Sequence, residues 1–480
     1  MHKSLFSAYP LRKNAVASLR DASLGFCPRS PAAFCACAQK SLDPARSDIK
    51  TFCSGIYLTR FIVILFIAFG MPFFAYSFEL PDIHGFVETL YAPRISKDSL
   101  TKHDDRVALE ERVQLKSRYT FSEGFLASLN SVINFKNDFV VDNYFDNTLH
   151  YKLRELNYSF SPTGFMDVKI GRQVLTWGVA DYLFINDLFP KDYVSFYIGR
   201  DDEYLKAPSD AARISLFPSL VNIDFVVFGF EPNVLPKGDR LSMFDSFQGG
   251  IAGRNSERYL IEPAQTAENL QYALRLYRNF GNIEGAFYAY RGFDPMPRSY
   301  LDEMNRKLFY ERLDVHGLSL RSPFLGGIAS FEGGYYYSSQ DSAGNNRLIE
   351  NSSYKVLAGY EKDLGNDLKV SGQYMYEEKL NYSDYITALM PWDYFWDARR
   401  HVLTQGLTKL YKNQTVRVSV FNFYSPSDKD GYLRASISYD VTDSFKVACG
   451  ANLPWGEDNK SEFGQMQKNK NVFLRARYSF

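Results

Sequence analysis

The chain has 480 residues and balances 55 Lys+Arg against 55 Asp+Glu, with 23% of its residues charged. On those numbers alone it suits a soluble protein of two or three domains. Its 34 Tyr, 40 Phe and 4 Trp nevertheless make up 16% of the chain, while mean hydropathy is negative at -0.28. A bundle of membrane helices is therefore excluded, because each span needs about 20 consecutive apolar residues and would raise that mean.

One long apolar run exists, Phe61 to Ala75, with Arg60 before it and Ala75-Tyr76-Ser77 after it. It is short for a membrane span and is interrupted by Pro72, so residues 57–77 read as an export signal cleaved after Ser77. Residues 1–56 are Ser/Ala/Arg-rich and unpatterned; they read as an over-extended start or, alternatively, as a targeting extension. Without residues 1–77 the chain keeps 46 basic and 52 acidic residues and one of its five cysteines, Cys449. No disulfide framework and no cysteine-based metal site can follow, and no basic block is left for nucleic acid.

From residue 78 onward the pattern is alternation, the mark of strands with two unlike faces. The first strand is expected over Ile83 to Ile95. Next, Val107, Leu109, Val113, Leu115 and Tyr119 oppose Arg106, Glu110, Arg112, Gln114, Lys116 and Arg118, with Glu111 as the one misfit. Further along, Tyr272, Leu274 and Leu276 oppose Gln271 and Arg275; Leu368, Val370, Tyr374 and Tyr376 oppose Lys369, Ser371 and Gln373. Leu433, Ala435, Ile437 and Tyr439 oppose Arg434, Ser436 and Ser438, and the closing strand sets Val472, Leu474, Ala476, Tyr478 and Phe480 against Arg475, Arg477 and Ser479. Gly281-Asn282, Gly326-Gly327, Gly365-Asn366-Asp367 and Lys429-Asp430-Gly431 separate such runs as hairpin turns do.

An export signal, many strands of about 10 residues and no helices to cover them favour an inverted arrangement, apolar face to lipid and polar face to a wet interior. The predicted fold is all-β: a transmembrane antiparallel up-and-down barrel of about 16–18 strands over residues 78–480. Tyr119, Tyr374, Tyr376, Tyr439 and Tyr478 suit the aromatic girdles of such a barrel. Pro391 to Trp396 is aromatic enough for a sugar track, although a loop packed on the rim is the preferred reading.

The ending Asn471 to Phe480 resembles the C-terminal signal of bacterial outer-membrane proteins, a terminal aromatic with apolar residues at alternate positions. The resemblance implies that Tyr478 and Phe480 are read by the barrel-assembly machinery. The stretch Ile170-Gly171-Arg172-Gln173-Val174-Leu175-Thr176-Trp177-Gly178, followed by Asp181 and Asn186-Asp187-Leu188-Phe189-Pro190, resembles a little-characterised proteobacterial family of outer-membrane barrels. That family, which shares a first strand like His84 to Glu88, is distantly similar to porin-like and alginate-export-type channels. What the resemblance implies is architecture and transport, with no catalytic motif.

The strand pattern fails between residues 171 and 208. If Val168 and Ile170 meet lipid, Arg172 shares their side, where a charge costs about 2–4 kcal/mol at mid-membrane and little at the interface. Arg172 then lies at the rim, or a bulge at Gly171 turns it inward. The acid-rich stretch that follows reads as a constriction folded into the lumen, with Arg172, Gln173, Asp181 and Asp187 as its members and Arg172 paired to one of the acids. A plain extracellular loop is the alternative.

On the lumen parity stand Arg106, Arg112, Lys116, Arg118, Arg275, Lys369, Arg417, Arg434, Arg475 and Arg477, against Glu110 alone. Such a basic wall lowers the barrier for anions; alternatively, loop carboxylates pair with it and merely fill the barrel. The histidines after residue 77 show no metal spacing, and no G-x-S-x-G elbow is present. The function expected is a passive outer-membrane channel for a small polar, anionic solute, without cofactor, metal or catalysis, in contact with outer-membrane lipid. A lipid-modifying barrel enzyme and a barrel component of a larger envelope transport assembly are the alternatives.

Overall fold

The computed structural model describes residues 81–480 apart from Lys237, Glu257, Asn305, Trp392, Tyr394 and Phe395. The export signal and the segment before it lie outside the described residues, as do Trp392, Tyr394 and Phe395 of the Pro391 to Trp396 run. Eighteen strands make one antiparallel sheet. In chain order they are β1 (Ile83–Pro93), β2 (Arg106–Thr120), β3 (Val132–Asp142), β4 (Leu149–Thr163), β5 (Met166–Val174) and β6 (Pro208–Leu216). There follow β7 (Asn222–Phe228), β8 (Gln271–Phe280), β9 (Ile283–Phe293), β10 (Arg312–Phe324), β11 (Gly327–Ser338) and β12 (Ser353–Asp363). The series closes with β13 (Leu368–Lys379), β14 (Arg399–Tyr411), β15 (Val416–Ser425), β16 (Asp430–Asp440), β17 (Phe445–Gly456) and β18 (Asn471–Ser479).

Each strand pairs with its sequence neighbour, and β1 also pairs with β18 from Phe86↔Ser479 to Tyr91↔Leu474, so the sheet closes on itself. Closure leaves no sheet edge, as a lipid-embedded sheet requires, since lipid cannot satisfy an open row of N–H and C=O groups. Among the described residues no helix is long and apolar enough to cross a membrane. The strands do the crossing.

One end carries short turns, such as Gly281-Asn282 between β8 and β9 and Leu325-Gly326 between β10 and β11. The other carries the long connections 175–207, 229–270 and 294–311. Short turns mark the periplasmic end of such barrels and long loops the outer end. Gly365, Asn366 and Asp367 all have positive φ in the β12–β13 turn, as a tight reversal needs.

The two faces follow the alternation. Val87 and Tyr91 on β1, Leu109 on β2, Leu318 and Leu320 on β10, Leu407 on β14, and Val472, Leu474 and Tyr478 on β18 are all well exposed on the outside. An exposed apolar belt of this extent is what lipid contact requires and water would penalise. The polar parity points inward, where Glu88, Glu110, Arg112, Gln114, Asp138, Asp224 and Glu332 are buried. The described residues form a closed transmembrane β-barrel.

Candidate functional site

The interior is shaped by the connection between β5 and β6. Its first arm lays Leu175, Ile185 and Phe189, each no more than 3% exposed, against inward side chains that include Tyr290, Leu313, Tyr336, Leu357, Met375 and Val402. A short helix, α1 (Tyr193–Ile198), capped by Asp192 accepting from the Ser195 N–H at 2.9 Å, begins the second arm. From it, Phe196, Tyr197 and Ile198 pack with Leu90, Phe423, Tyr432 and Phe463 on the other side of the wall. The connection thus crosses the lumen and contributes to two apolar clusters inside the barrel.

Polar groups of the wall fix it there. Glu332 of β11 accepts from three backbone N–H groups, Val179 at 2.9 Å, Ala180 at 3.3 Å and Asn186 at 2.8 Å. Gly178 has φ +85°, and a Cβ there would come within 2.8 Å of the same carboxylate. Asn186 donates to the carbonyls of Leu318 and Gly333 at 3.3 and 3.2 Å, and the Tyr336 hydroxyl donates to the Ile185 carbonyl. On the second arm Tyr432 donates to the Phe196 carbonyl and Asn471 to the Tyr197 carbonyl, both at 2.8 Å. Arg200 donates to Glu110, and Gln114 to the Tyr204 hydroxyl at 3.0 Å.

The residues singled out from the sequence fall into distinct surroundings. Arg112 is 1% exposed, salt-bridged to Glu110 and Asp138 and stacked 4.1 Å over the Tyr204 ring. Arg434 meets Asp202 at 2.6 Å, Arg475 meets Asp201 at 3.2 Å, and Arg477 meets Glu88 at 2.7 Å. Arg275 pairs with Glu284 at 3.0 Å and Lys369 with Glu361 at 2.6 Å. Lys116, Arg118 and Arg417 are exposed in the lumen and form no ion pair among the described residues. Arg106 pairs with Asp105 at 2.9 Å at the outer end of β2. Tyr478 and Phe480 are on the outside, 54% and 50% exposed.

Two expectations need correction. Glu110 is not the lone inward acid: Glu88, Asp138, Asp224, Glu284, Glu332 and Glu361 share the lumen, and most of the basic wall is paired with them or with the 175–207 connection. The physical reason is that a cation packed into a crowded interior is costly unless a carboxylate faces it.

Arg172, the second case, does not join the acids of the connection. It keeps the outward parity of Val168 and Ile170 near the outer end of β5, donating to the Leu153 carbonyl at 2.9 Å and pairing with Asp210 at 3.1 Å and Glu231 at 3.4 Å. Gly171 has φ +117°, yet the register with Leu156 and Asp210 runs on unbroken, so nothing rotates Arg172 inward. Asp187 is met by Lys191 at 2.9 Å and Thr176 at 2.7 Å instead. Gln173 points inward, donating to the Gly171 and Ala211 carbonyls. Asp181 is exposed in the lumen, and its carboxyl is pushed up by partial desolvation and by Glu361 nearby.

Glu332, Arg200, Tyr204 and Arg298 were not singled out from the sequence. Parity applied to β11, where Ser330, Glu332 and Gly334 share a face, would have found Glu332. Nothing local marks the other three, which reach the lumen on irregular connections.

Above the crossing connection, toward the outer end, lies a cavity of about 120 Å³. Its wall combines aromatic rings from both arms with Lys355, Glu377, Arg400, Glu462 and Arg298. Lys355 pairs with Glu377 at 3.2 Å, and Arg400 bridges Asp428 at 2.6 Å and Glu462 at 2.5 Å. Among the described residues no group of three or more His, Cys, Asp or Glu is arranged to hold a metal ion.

No family model matches the chain, and no curated protein matches its sequence. Solved structures do resemble it. OccK11 (OpdR) of Pseudomonas aeruginosa shares 9% identity at a TM-score of 0.51, covering 83% of this chain and 96% of that one. OccD3 (OpdP) of the same organism gives 9% and 0.50 over 84% and 91%, and OccAB3 of Acinetobacter baumannii gives 9% and 0.50 over 83% and 99%. At this identity the likeness is one of fold, and the fold is that of the outer-membrane porins.

Proposed function

We propose that the protein is a porin-like channel of the bacterial outer membrane that passes small polar solutes and prefers anions. The observation that carries this reading is the trio Lys116, Arg118 and Arg417, exposed on the inward face near the short-turn end and outside every ion pair among the described residues. Unneutralised cations lining a water-filled passage raise the local concentration of anions and repel cations. The paired arginines hold the wall together, so the preference expected is moderate.

The 175–207 connection acts as the constriction in this reading, with Asp181 exposed on it and Gln173 and Asp187 fixing its base. Arg172 contributes at the rim only. Tyr478 and Phe480 serve as the assembly signal, and residues 57–77 as the export signal. The Gly171 to Gly178 stretch that carries the family resemblance is the hinge from β5 into the constriction, which gives the motif a mechanical role.

The reading is tested by reversal potential in planar bilayers under a salt gradient. An anion-selective potential is expected, and replacing Lys116, Arg118 and Arg417 together with Gln should bring it to zero or to the cation side. Cation selectivity of the native protein would refute it.

A further inference from the structure

The outer cavity holds two charged groups that their surroundings leave incompletely engaged. Arg298, on the connection between β9 and β10, is exposed to the cavity, and its guanidinium makes no ion pair or hydrogen bond among the described residues. Glu462, on the connection between β17 and β18, gives one carboxylate oxygen to Arg400 and keeps a side chain 49% exposed. The two face the same space without being within ion-pair distance, and the carboxylates of Asp294, Glu350 and Glu377 act on the Arg298 guanidinium more strongly than Glu462 does. The same space is lined by Phe184, Tyr193, Phe463 and Met375 together with Lys355, Glu377 and Arg400.

A separated cation and anion in a cavity that also presents aromatic rings match a ligand with both charges and an apolar body. Either charge alone would leave one pole idle, and the remaining pairs, Lys355 with Glu377 and Arg400 with Asp428, already neutralise each other. Water can satisfy both poles but not the rings, so a solute that covers the rings gains by displacing water from them.

We propose that this cavity is the recognition site of the channel and that it selects zwitterionic solutes with an apolar or aromatic body, of the type of an aromatic α-amino acid. The solute carboxylate meets Arg298, the ammonium meets Glu462, and the ring rests on Phe184, Tyr193 and Phe463. This rests on the channel reading above for its role in transport, but not for binding itself.

The test uses the full barrel in planar bilayers, with L-phenylalanine, glycine, phenylacetate and phenethylammonium added in turn to the long-loop side. L-phenylalanine should interrupt the current at a concentration about tenfold below any of the other three. R298Q should shift the preference toward phenethylammonium and E462Q toward phenylacetate, an exchange that simple loss of packing would not produce; retained heat-modifiable gel mobility shows that each variant is folded. Glycine as effective as L-phenylalanine, or phenylacetate as effective, would overturn the proposal. Should the barrel not conduct, calorimetry of the detergent-solubilised protein with the same four compounds decides. Selective L-phenylalanine binding would then uphold the site and refute the channel, and conduction without discrimination would do the reverse.

Discussion

Glu332 shows how much a single side chain can decide. Its carboxylate is 1% exposed and accepts three backbone N–H groups from the crossing connection. Hydrogen bonds to a charged acceptor contribute about 1.5–3 kcal/mol each, and truncating the carboxylate leaves buried donors unmet. Glu332→Ala should therefore loosen residues 179–186 by about 3 kcal/mol or more, read as higher single-channel conductance and faster proteolysis within that stretch. Unchanged conductance would argue against its role as an anchor.

Glu311 gives the pH counterpart. Burial, with Asp294 and Glu350 nearby, pushes its carboxyl up to about 8, and Ser299 donates to it at 2.7 Å. Since the folded-state value lies above the unfolded one, the docked connection retains a proton that the undocked chain releases. Stability of the 294–311 connection is full at acid pH, falls as pH rises from the ordinary carboxylate range, and is lowest above about 8. Proteolysis of this connection should accelerate between about pH 5 and about pH 9 in the native protein, and Glu311→Gln should flatten the profile.

Among the elements, the crossing connection is set apart by how closely the wall admits it. β10 presents Gly317 beneath Asn186, and a Cβ there would fall 1.7 Å from Asn186 Oδ1 and 2.7 Å from the Gly333 carbonyl oxygen. Gly317→Ala should consequently displace the first arm without disturbing the outward side of β10. The expected result is an intact heat-modifiable barrel with altered conductance; a variant with native conductance would show that the arm is not held by this approach. Hydrophobic contact and backbone acceptance act together here, because Ile185, the neighbour of Asn186, is wholly buried in the same cluster.

The whole molecule depends on joining its first strand to its last. Beyond the β1–β18 ladder, Gly85 and Phe480 exchange two backbone hydrogen bonds of 2.9 and 3.0 Å at the periplasmic rim. Gly85 has no room for a side chain, since its Cβ would meet the Gln114 carbonyl oxygen at 2.0 Å. Deleting Phe480 removes that exchange together with an exposed terminal aromatic, so the yield of heat-modifiable barrel should fall several-fold while the soluble, protease-sensitive fraction rises. An undiminished yield would show that closure is complete without it.

Alternation by itself settled the class of fold and which side of β2, β8, β13, β16 and β18 faces inward, because a period of two is local and each strand carries its own record of lipid and water. The short turns were legible for the same reason, as Gly281-Asn282 and Gly365 to Asp367 show. Partnership was not legible. Whether Arg112 stands in a water-filled pore or against Glu110 and Asp138 depends on which strand lies beside it and which connection lies over it, and Arg172 kept its strand's parity while its acids came from β6 and from beyond β7. The outer cavity was hidden for the same reason, since Arg298 and Glu462 come from irregular connections far apart in the chain. Faces are written in sequence because they repeat every two residues; charge pairing and enclosure are properties of the closed barrel, where distant segments compete for the same small volume.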